Sequence, residues 1–171
     1  DVLNGYAAES DDLAIVFGDH TIVRQTGDPA PGGNGQFDPF PTQIGGAFGR
    51  AWCRGPNPRP NGSGSLIYFW GTDSQLHAAS GSVGVIEISA RRVRDYEDVD
   101  LSRFYVRMAW NTRLDELDII ATPYGGIDER TRYFVWERST NALWEDTRFD
   151  ASQDATDIIV YDGDKPDDRM V

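Results

Sequence analysis

The sequence predicts an all-β, antiparallel domain with little helix, arranged as propeller-like repeats or as a β-sandwich. Three observations carry this expectation. Short segments rich in Val, Ile, Tyr, Phe and Trp alternate at the two-residue period of a half-buried strand. Eighteen glycines and nine prolines separate those segments and crowd into Gly27–Pro41 and Gly55–Gly64. Apolar residues at helical spacing are nearly absent.

Taken in order, the first strands fall at Leu13–Phe17 and Thr21–Gln25, turned by Gly18-Asp19-His20. Ala47–Cys53 follows the first glycine-rich stretch, and Leu66–Trp70 and Gln75–Ala79 flank the polar turn Gly71–Ser74. Val83–Ala90, Phe104–Trp110, Asp118–Ala121, Arg132–Trp136, Ala142–Asp146 and Asp157–Tyr161 complete the set. Asn111–Leu117 is the best helical candidate, and a second turn is expected at Asp95–Leu101. Laid over one another, the hairpins at 13–25, 66–79 and 132–146 share a pattern of aromatic strand, polar turn and aliphatic strand. Phe17, Tyr68, Trp70, Phe134 and Trp136 are thereby expected at related places in three imperfect repeats of one domain spanning 1–171.

Composition narrows the function. A chain of 171 residues fits one domain and buries roughly 70% of its unfolded surface, enough for a core without disulfides. Cys53 is the only cysteine, which rules out an internal disulfide framework and any zinc site built on paired cysteines. No apolar run approaches the roughly 20 residues that a membrane helix needs. With 28 acidic against 16 basic residues and a net charge of −12, phosphate backbones would be repelled, so nucleic acid is not an expected partner. The sequence opens on Asp1 without an initiator methionine or a basic-then-apolar signal segment, which suggests either a processed mature protein or a fragment of a longer one, and the expected location is extracellular or at the cell surface.

Catalytic signatures are missing. Neither His20 nor His77 lies in a recognisable nucleophile context, and no Gly-x-Ser-x-Gly elbow or phosphate-cradling loop precedes a helix. The expectation is a non-enzyme without redox or nucleotide cofactor. Carboxylate clusters remain, at Asp11-Asp12, Asp95–Asp100, Asp115–Asp118 and Asp162–Asp168. Calcium accepts six to eight oxygen ligands from irregular loops, so Asp162, Asp164, Asp167 and Asp168 form the candidate calcium site. A glycosidase-like carboxylate pair would be brought together by folding rather than spacing, which keeps a glycoside-acting enzyme as a third reading.

The run Ile22–Gly33, with Gly27-Asp28-Pro29-Ala30-Pro31-Gly32 at its centre, then Gly35-Gln36-Phe37 and Ala47-Phe48-Gly49-Arg50-Ala51, resembles a repeat module of secreted bacterial tandem-repeat proteins. Gln43-Ile44-Gly45-Gly46 stands where the module carries an asparagine motif. The resemblance covers under a third of the chain and implies secretion and propeller-like β architecture. Arg132–Trp136 with Asn141–Glu145 is similar to one blade of the fucose-binding propeller lectins, in which arginine, glutamate and an aromatic ring hold the sugar. That likeness makes Arg132, Trp136, Trp144 and Glu145 the candidate glycan site. Two functions follow as expectations: an extracellular protein that assembles with copies of itself through β edges and termini, and a lectin-like module that binds glycans.

Overall fold

The computed structural model describes residues 2–28, 30–59, 62–89, 99–125, 129–146, 157–160 and 169–170, the last two pairs by their backbone at 159–160 and 169–170. The described chain is all-β and antiparallel, without helix. Its strands form three successive four-stranded meanders. The first contains β1 (Leu3–Ser10), β2 (Leu13–Gly18), β3 (Ile22–Thr26) and β4 (Gln36–Pro39). The second contains β5 (Trp52–Pro56), β6 (Ser65–Trp70), β7 (Leu76–Ser80) and β8 (Gly84–Glu87). The third contains β9 (Phe104–Asn111), β10 (Glu116–Pro123), β11 (Arg132–Glu137) and β12 (Ala142–Asp146), and a short pair, β13 (Ile159–Val160) with β14 (Arg169–Met170), follows.

Alternation along each strand decides how the sheets meet. In β6, Leu66, Tyr68 and Trp70 face the third sheet, while Ile67 and Phe69 face the first. The third sheet answers with Val106, Met108, Trp110, Leu117, Ile119, Phe134 and Trp136. The first supplies Ala7, Ile15, Phe17 and Ile22. Both faces of the middle sheet are therefore buried. β5 lies against β9 and β9 against β13, while the first sheet meets the second through β1 and β6. Three four-stranded meanders make three layers, one more than a two-layer sandwich has.

Several expectations are revised. Asn111–Leu117 is a turn between two strands. The Asn111 carboxamide oxygen accepts from the backbone N–H groups of Arg113 and Leu114, and Asp115 adopts a left-handed φ of 55°. The strand expected at Ala47–Cys53 begins only at Trp52, because Ala47 and Trp70 are joined by one backbone hydrogen bond at a crossing before the ladder starts. Strands β1 and β4, unmarked in the sequence reading, flank β2 and β3. The hairpin β11–β12 occupies the third and fourth places of its sheet, whereas β2–β3 and β6–β7 occupy the second and third. By position, β10 is the counterpart of β2 and β6. The expected turn at Asp95–Leu101 falls mostly outside the described residues.

Candidate functional site

The register separates the four residues expected to hold a glycan. Arg132, Phe134 and Trp136 share the face of β11 turned to the middle sheet. Glu145 pairs with Phe134 and lies on that same face, while Trp144 pairs with Val135 and lies on the opposite one. Arg132 Nε and Nη2 donate to the two Glu145 carboxylate oxygens at 3.0 and 2.9 Å, a fork matched to a fork. The guanidinium also sits 4.9 Å from the Phe134 ring centroid. Arg132 and Glu145 thus direct the Nε and Nη2 donors and both carboxylate oxygens at each other. Trp136 is 1% exposed, its indole N–H donating to Asn141 Oδ1 at 3.0 Å, so it is a core residue. Trp144 is 39% exposed and alone among the four offers a ring face to solvent.

Cys53 is likewise explained by packing. Burial pushes its thiol pKa well above the usual value and the Asp118 carboxylate adds to the effect, so the thiolate form is suppressed. The proposed calcium ligands Asp162, Asp164, Asp167 and Asp168 lie outside the described residues. Among the described residues no three His, Cys, Asp or Glu side chains converge.

A different cleft draws residues from all three sheets. Antiparallel pairing places the start of each first strand beside the end of its second, as Leu3 beside Gly18, Trp52 beside Phe69 and Phe104 beside Pro123. Loops at that end therefore converge. Asn4, Asp19, Phe48, Thr72, Tyr105 and Tyr124 line a cavity of about 180 Å³ there. Phe48 is 67% and Tyr124 40% exposed, although large aromatic rings are ordinarily withdrawn from water. Tyr105 and Tyr124 meet with centroids 5.7 Å apart at 49°, and the Arg107 guanidinium lies 5.0 Å from the Tyr105 centroid.

The polar wall of the cleft is fixed. Asn4 Nδ2 donates to Asp19 Oδ1 at 2.8 Å and to the Gly46 carbonyl at 2.9 Å, tying β1 to the β2–β3 turn. Thr72 Oγ1 accepts from Gly45 N–H at 3.1 Å, leaving the hydroxyl hydrogen to be directed elsewhere. The cleft combines ring surfaces with a carboxylate, an amide oxygen and a hydroxyl held in place by the backbone. That combination suits a ligand with both apolar faces and many hydroxyl groups. Sequence reasoning missed it because its residues are scattered from position 4 to position 124. The available signal was local: Phe48 and Tyr124 are aromatics that each stand directly before a glycine. A scan against protein-family models gives no match for this chain, and a search of curated proteins gives none either.

Proposed function

We propose that this protein is a non-catalytic, extracellular carbohydrate-binding module, and that the glycan lies in the cleft formed by Phe48, Tyr105 and Tyr124. The exposure of aromatic rings beside Asp19 in one backbone-braced cleft carries this reading. Ring faces pack against sugar C–H surfaces, and an acidic oxygen and an amide oxygen accept from vicinal hydroxyls. Glycan-array binding is expected to weaken by at least about tenfold in Tyr124→Ala and Asp19→Asn. Trp144→Ala, on the far face of the third sheet, should leave it unchanged. Absence of binding to any glycan at millimolar concentration, or loss in Trp144→Ala alone, overturns the assignment.

A second reading, self-association, rests on the outward face of the first sheet. Cross-strand pairs place Tyr6, Val16, Val23 and Pro39 in one row and Ala8, Ala14, Gln25 and Phe37 in the next. The face carries no formal charge in a chain of net charge −12. Tyr6 is 50% and Phe37 57% exposed upon it. Its apolar character matches the faces on which the sheets of this chain stack on one another, so the occupant proposed is a sheet of a second copy. Light scattering after size-exclusion chromatography should give more than the monomer mass for the wild type and the monomer mass for Tyr6→Lys/Phe37→Lys. A wild type that stays monomeric at micromolar concentration removes this reading.

A further inference from the structure

The cleft in which the loops of the three sheets converge carries charge of one sign. Among the described residues that line it, Asp19 alone is charged, and the others are aromatic, aliphatic or carry a neutral amide or hydroxyl. Its volume, about 180 Å³, is below the roughly 300–1,000 Å³ of pockets that take drug-sized ligands. A single sugar unit is therefore what it accommodates, not a length of chain.

Asp19 is half-buried at the β2–β3 turn. Its backbone carbonyl is packed against Gly45, where a Cβ would stand 2.2 Å from the oxygen, so the exposure of this residue falls largely to its side chain. A carboxylate offers about four lone-pair sites, and among the described residues Asn4 Nδ2 is the one donor that reaches it, at 2.8 Å. Capacity to accept from a ligand is left over. The position is also fixed. Gly46 N–H donates to the Gly18 carbonyl at 3.1 Å, and Gly45 and Thr72 exchange bonds, Gly45 N–H to Thr72 Oγ1 at 3.1 Å and Thr72 N–H to the Gly45 carbonyl at 3.0 Å. The Gly45-Gly46 segment thus holds the turn that carries Asp19 against the turn that carries Thr72, and little ordering is left for a ligand to impose.

Three rings share the cleft with that carboxylate: Phe48, Tyr105 and Tyr124. Aromatic faces carry negative potential and attract cations, and a neighbouring carboxylate adds a charge-assisted hydrogen bond. The Arg107 guanidinium, 5.0 Å from the Tyr105 centroid, does not line the cavity. Its Nη1 donates to the Val106 carbonyl at 3.1 Å and its Nε lies 4.0 Å from Asp157 Oδ1, so that cation has partners of its own. Ring faces beside one anion favour a positively charged group and disfavour a sugar acid. The net charge of −12 acts in the same direction at longer range.

We infer that the sugar taken by this cleft bears a free, protonated amine, the ammonium pairing with the Asp19 carboxylate and the C–H face of the ring packing on the aromatic wall. The inference rests on the glycan reading of the same cleft and narrows it to one ligand class, the amino sugars whose nitrogen is not acylated. Asn4 acts as a positioning residue, since its amide holds Asp19 at 2.8 Å and the Gly46 carbonyl at 2.9 Å.

The test uses the methyl β-glycosides of glucosamine and of glucose, which differ by an amine in place of one hydroxyl, at mildly acidic pH where the amine is protonated. Each probe is a single ring with at most one charge, so no polycation is present to coat an acidic surface. Titration into the wild-type protein, followed by backbone amide shifts, should show the amine binding at least about fivefold more tightly, as a charge-assisted bond replaces a neutral one. Shifts should centre on Asp19, Phe48, Thr72, Tyr105 and Tyr124, and added salt should narrow the preference. Asp19→Asn keeps an oxygen for Asn4 and should bring the two probes to within about twofold of each other. Glu87→Gln removes the same charge from β8, outside the cleft, and should leave the preference intact. Equal binding of the two glycosides, tighter binding of the glucoside, or binding of other glycans with neither glycoside bound overturns this inference without any variant and leaves the glycan reading standing. A preference that survives Asp19→Asn, or is lost equally in Glu87→Gln, overturns it as well. Failure of every glycan, amine-bearing or neutral, at millimolar concentration overturns the glycan reading itself and this inference with it.

Discussion

The two faces of the middle sheet are built unlike each other. Against the third sheet, nineteen of the described residues form one buried hydrophobic cluster, and its centre is aromatic. Tyr68 stacks on Trp110 with centroids 5.2 Å apart and meets Trp136 at 5.4 Å, and Trp70 stacks on Phe134 at 6.2 Å. Among the described residues, seven buried hydrophobic residues cluster against the first sheet, where Phe17 and Phe69 meet at 5.0 Å and Phe69 also stacks on His77 at 5.3 Å. Polar ties supplement that thinner core. Arg24 Nη1 donates to the Gly81 carbonyl at 3.0 Å, Gly81 N–H to Glu9 Oε2 at 2.9 Å, and Arg54 Nη2 to the Ala8 and Glu9 carbonyls at 2.7 and 2.6 Å. Those bonds compete with water at the rim, whereas buried ring area does not. The second and third sheets should therefore behave as one cooperative body and the first as a separable layer.

The largest expected effect comes from the aromatic side. Trp136→Ala removes a ring that touches Tyr68 and Trp110 and leaves Asn141 without its indole donor. A loss of about 3–5 kcal/mol is expected in denaturant unfolding, larger than for any single truncation on the other face. If Phe17→Ala costs as much, the two interfaces are equivalent and the distinction fails.

Ile15→Ala tests separability instead of magnitude. It should cost about 2–5 kcal/mol locally, yet the loss should appear mainly in the first sheet. Amide hydrogen exchange is expected to accelerate across β1–β4 and to change little in β10 and β11. Uniform acceleration through all three sheets would show that the thin interface is as cooperative as the thick one.

Smaller again is the effect of adding one methyl group on the aromatic side. A Cβ at Gly55 would stand 2.5 Å from Trp110 Cε3 and 2.8 Å from Tyr68 Cε2. Both rings are locked by their neighbours, and Tyr68 is further fixed by the 2.6 Å hydrogen bond its hydroxyl donates to the Pro56 carbonyl. Gly55→Ala should cost about 1–3 kcal/mol in thermal or denaturant unfolding. A neutral result would mean that the ring cluster yields more than its packing implies.

The same contrast explains what could be read before the fold was known. Strands such as β6 and β11 announce themselves because Leu66-Ile67-Tyr68-Phe69-Trp70 and Tyr133-Phe134-Val135-Trp136 are β-favouring over their whole length. β1 does not: Leu3-Asn4-Gly5-Tyr6-Ala7-Ala8-Glu9-Ser10 has no β-branched residue, and its conformation comes from pairing with β2, interrupted by irregularities near Leu3/Gly5 and Ala8/Ser10. β4 ends at Pro39, which an edge strand tolerates. Asn111–Leu117 mimics a helix start, but its asparagine caps a turn. At the candidate sites the missing information was register. Alternation alone puts Arg132 and Trp136 on one face, while only the pairing of Val135 with Trp144 and of Phe134 with Glu145 tells which side their partners occupy. Clefts that draw on three sheets are harder still, since no window of sequence contains Asn4, Phe48 and Tyr124 together.

The smallest effect lies at the rim of the thin interface, where Arg24 links the first sheet to Gly81 while its Nη2 donates to Asp38 Oδ2 at 3.1 Å. The hydrogen bond from Gln36, then that from Arg24, hold the Asp38 carboxyl below its usual pKa near 3.8. A carboxyl lowered by folding stabilises the native state fully above its unfolded pKa, about 3.9, and loses that contribution as pH falls through the lowered native value. Wild type should therefore exceed Asp38→Asn in melting temperature at neutral pH by a small margin, and the two curves should converge below the usual carboxylate range. Solvent and salt screen the pair, so raising ionic strength at neutral pH should also narrow the gap. Because Arg24 spans both sheets, the variant should loosen exchange at Arg24 and Gly81 more than anywhere on the aromatic side. Convergence on raising pH instead of lowering it, or a margin insensitive to both salt and pH, would remove Asp38 from the forces that hold the first sheet in place.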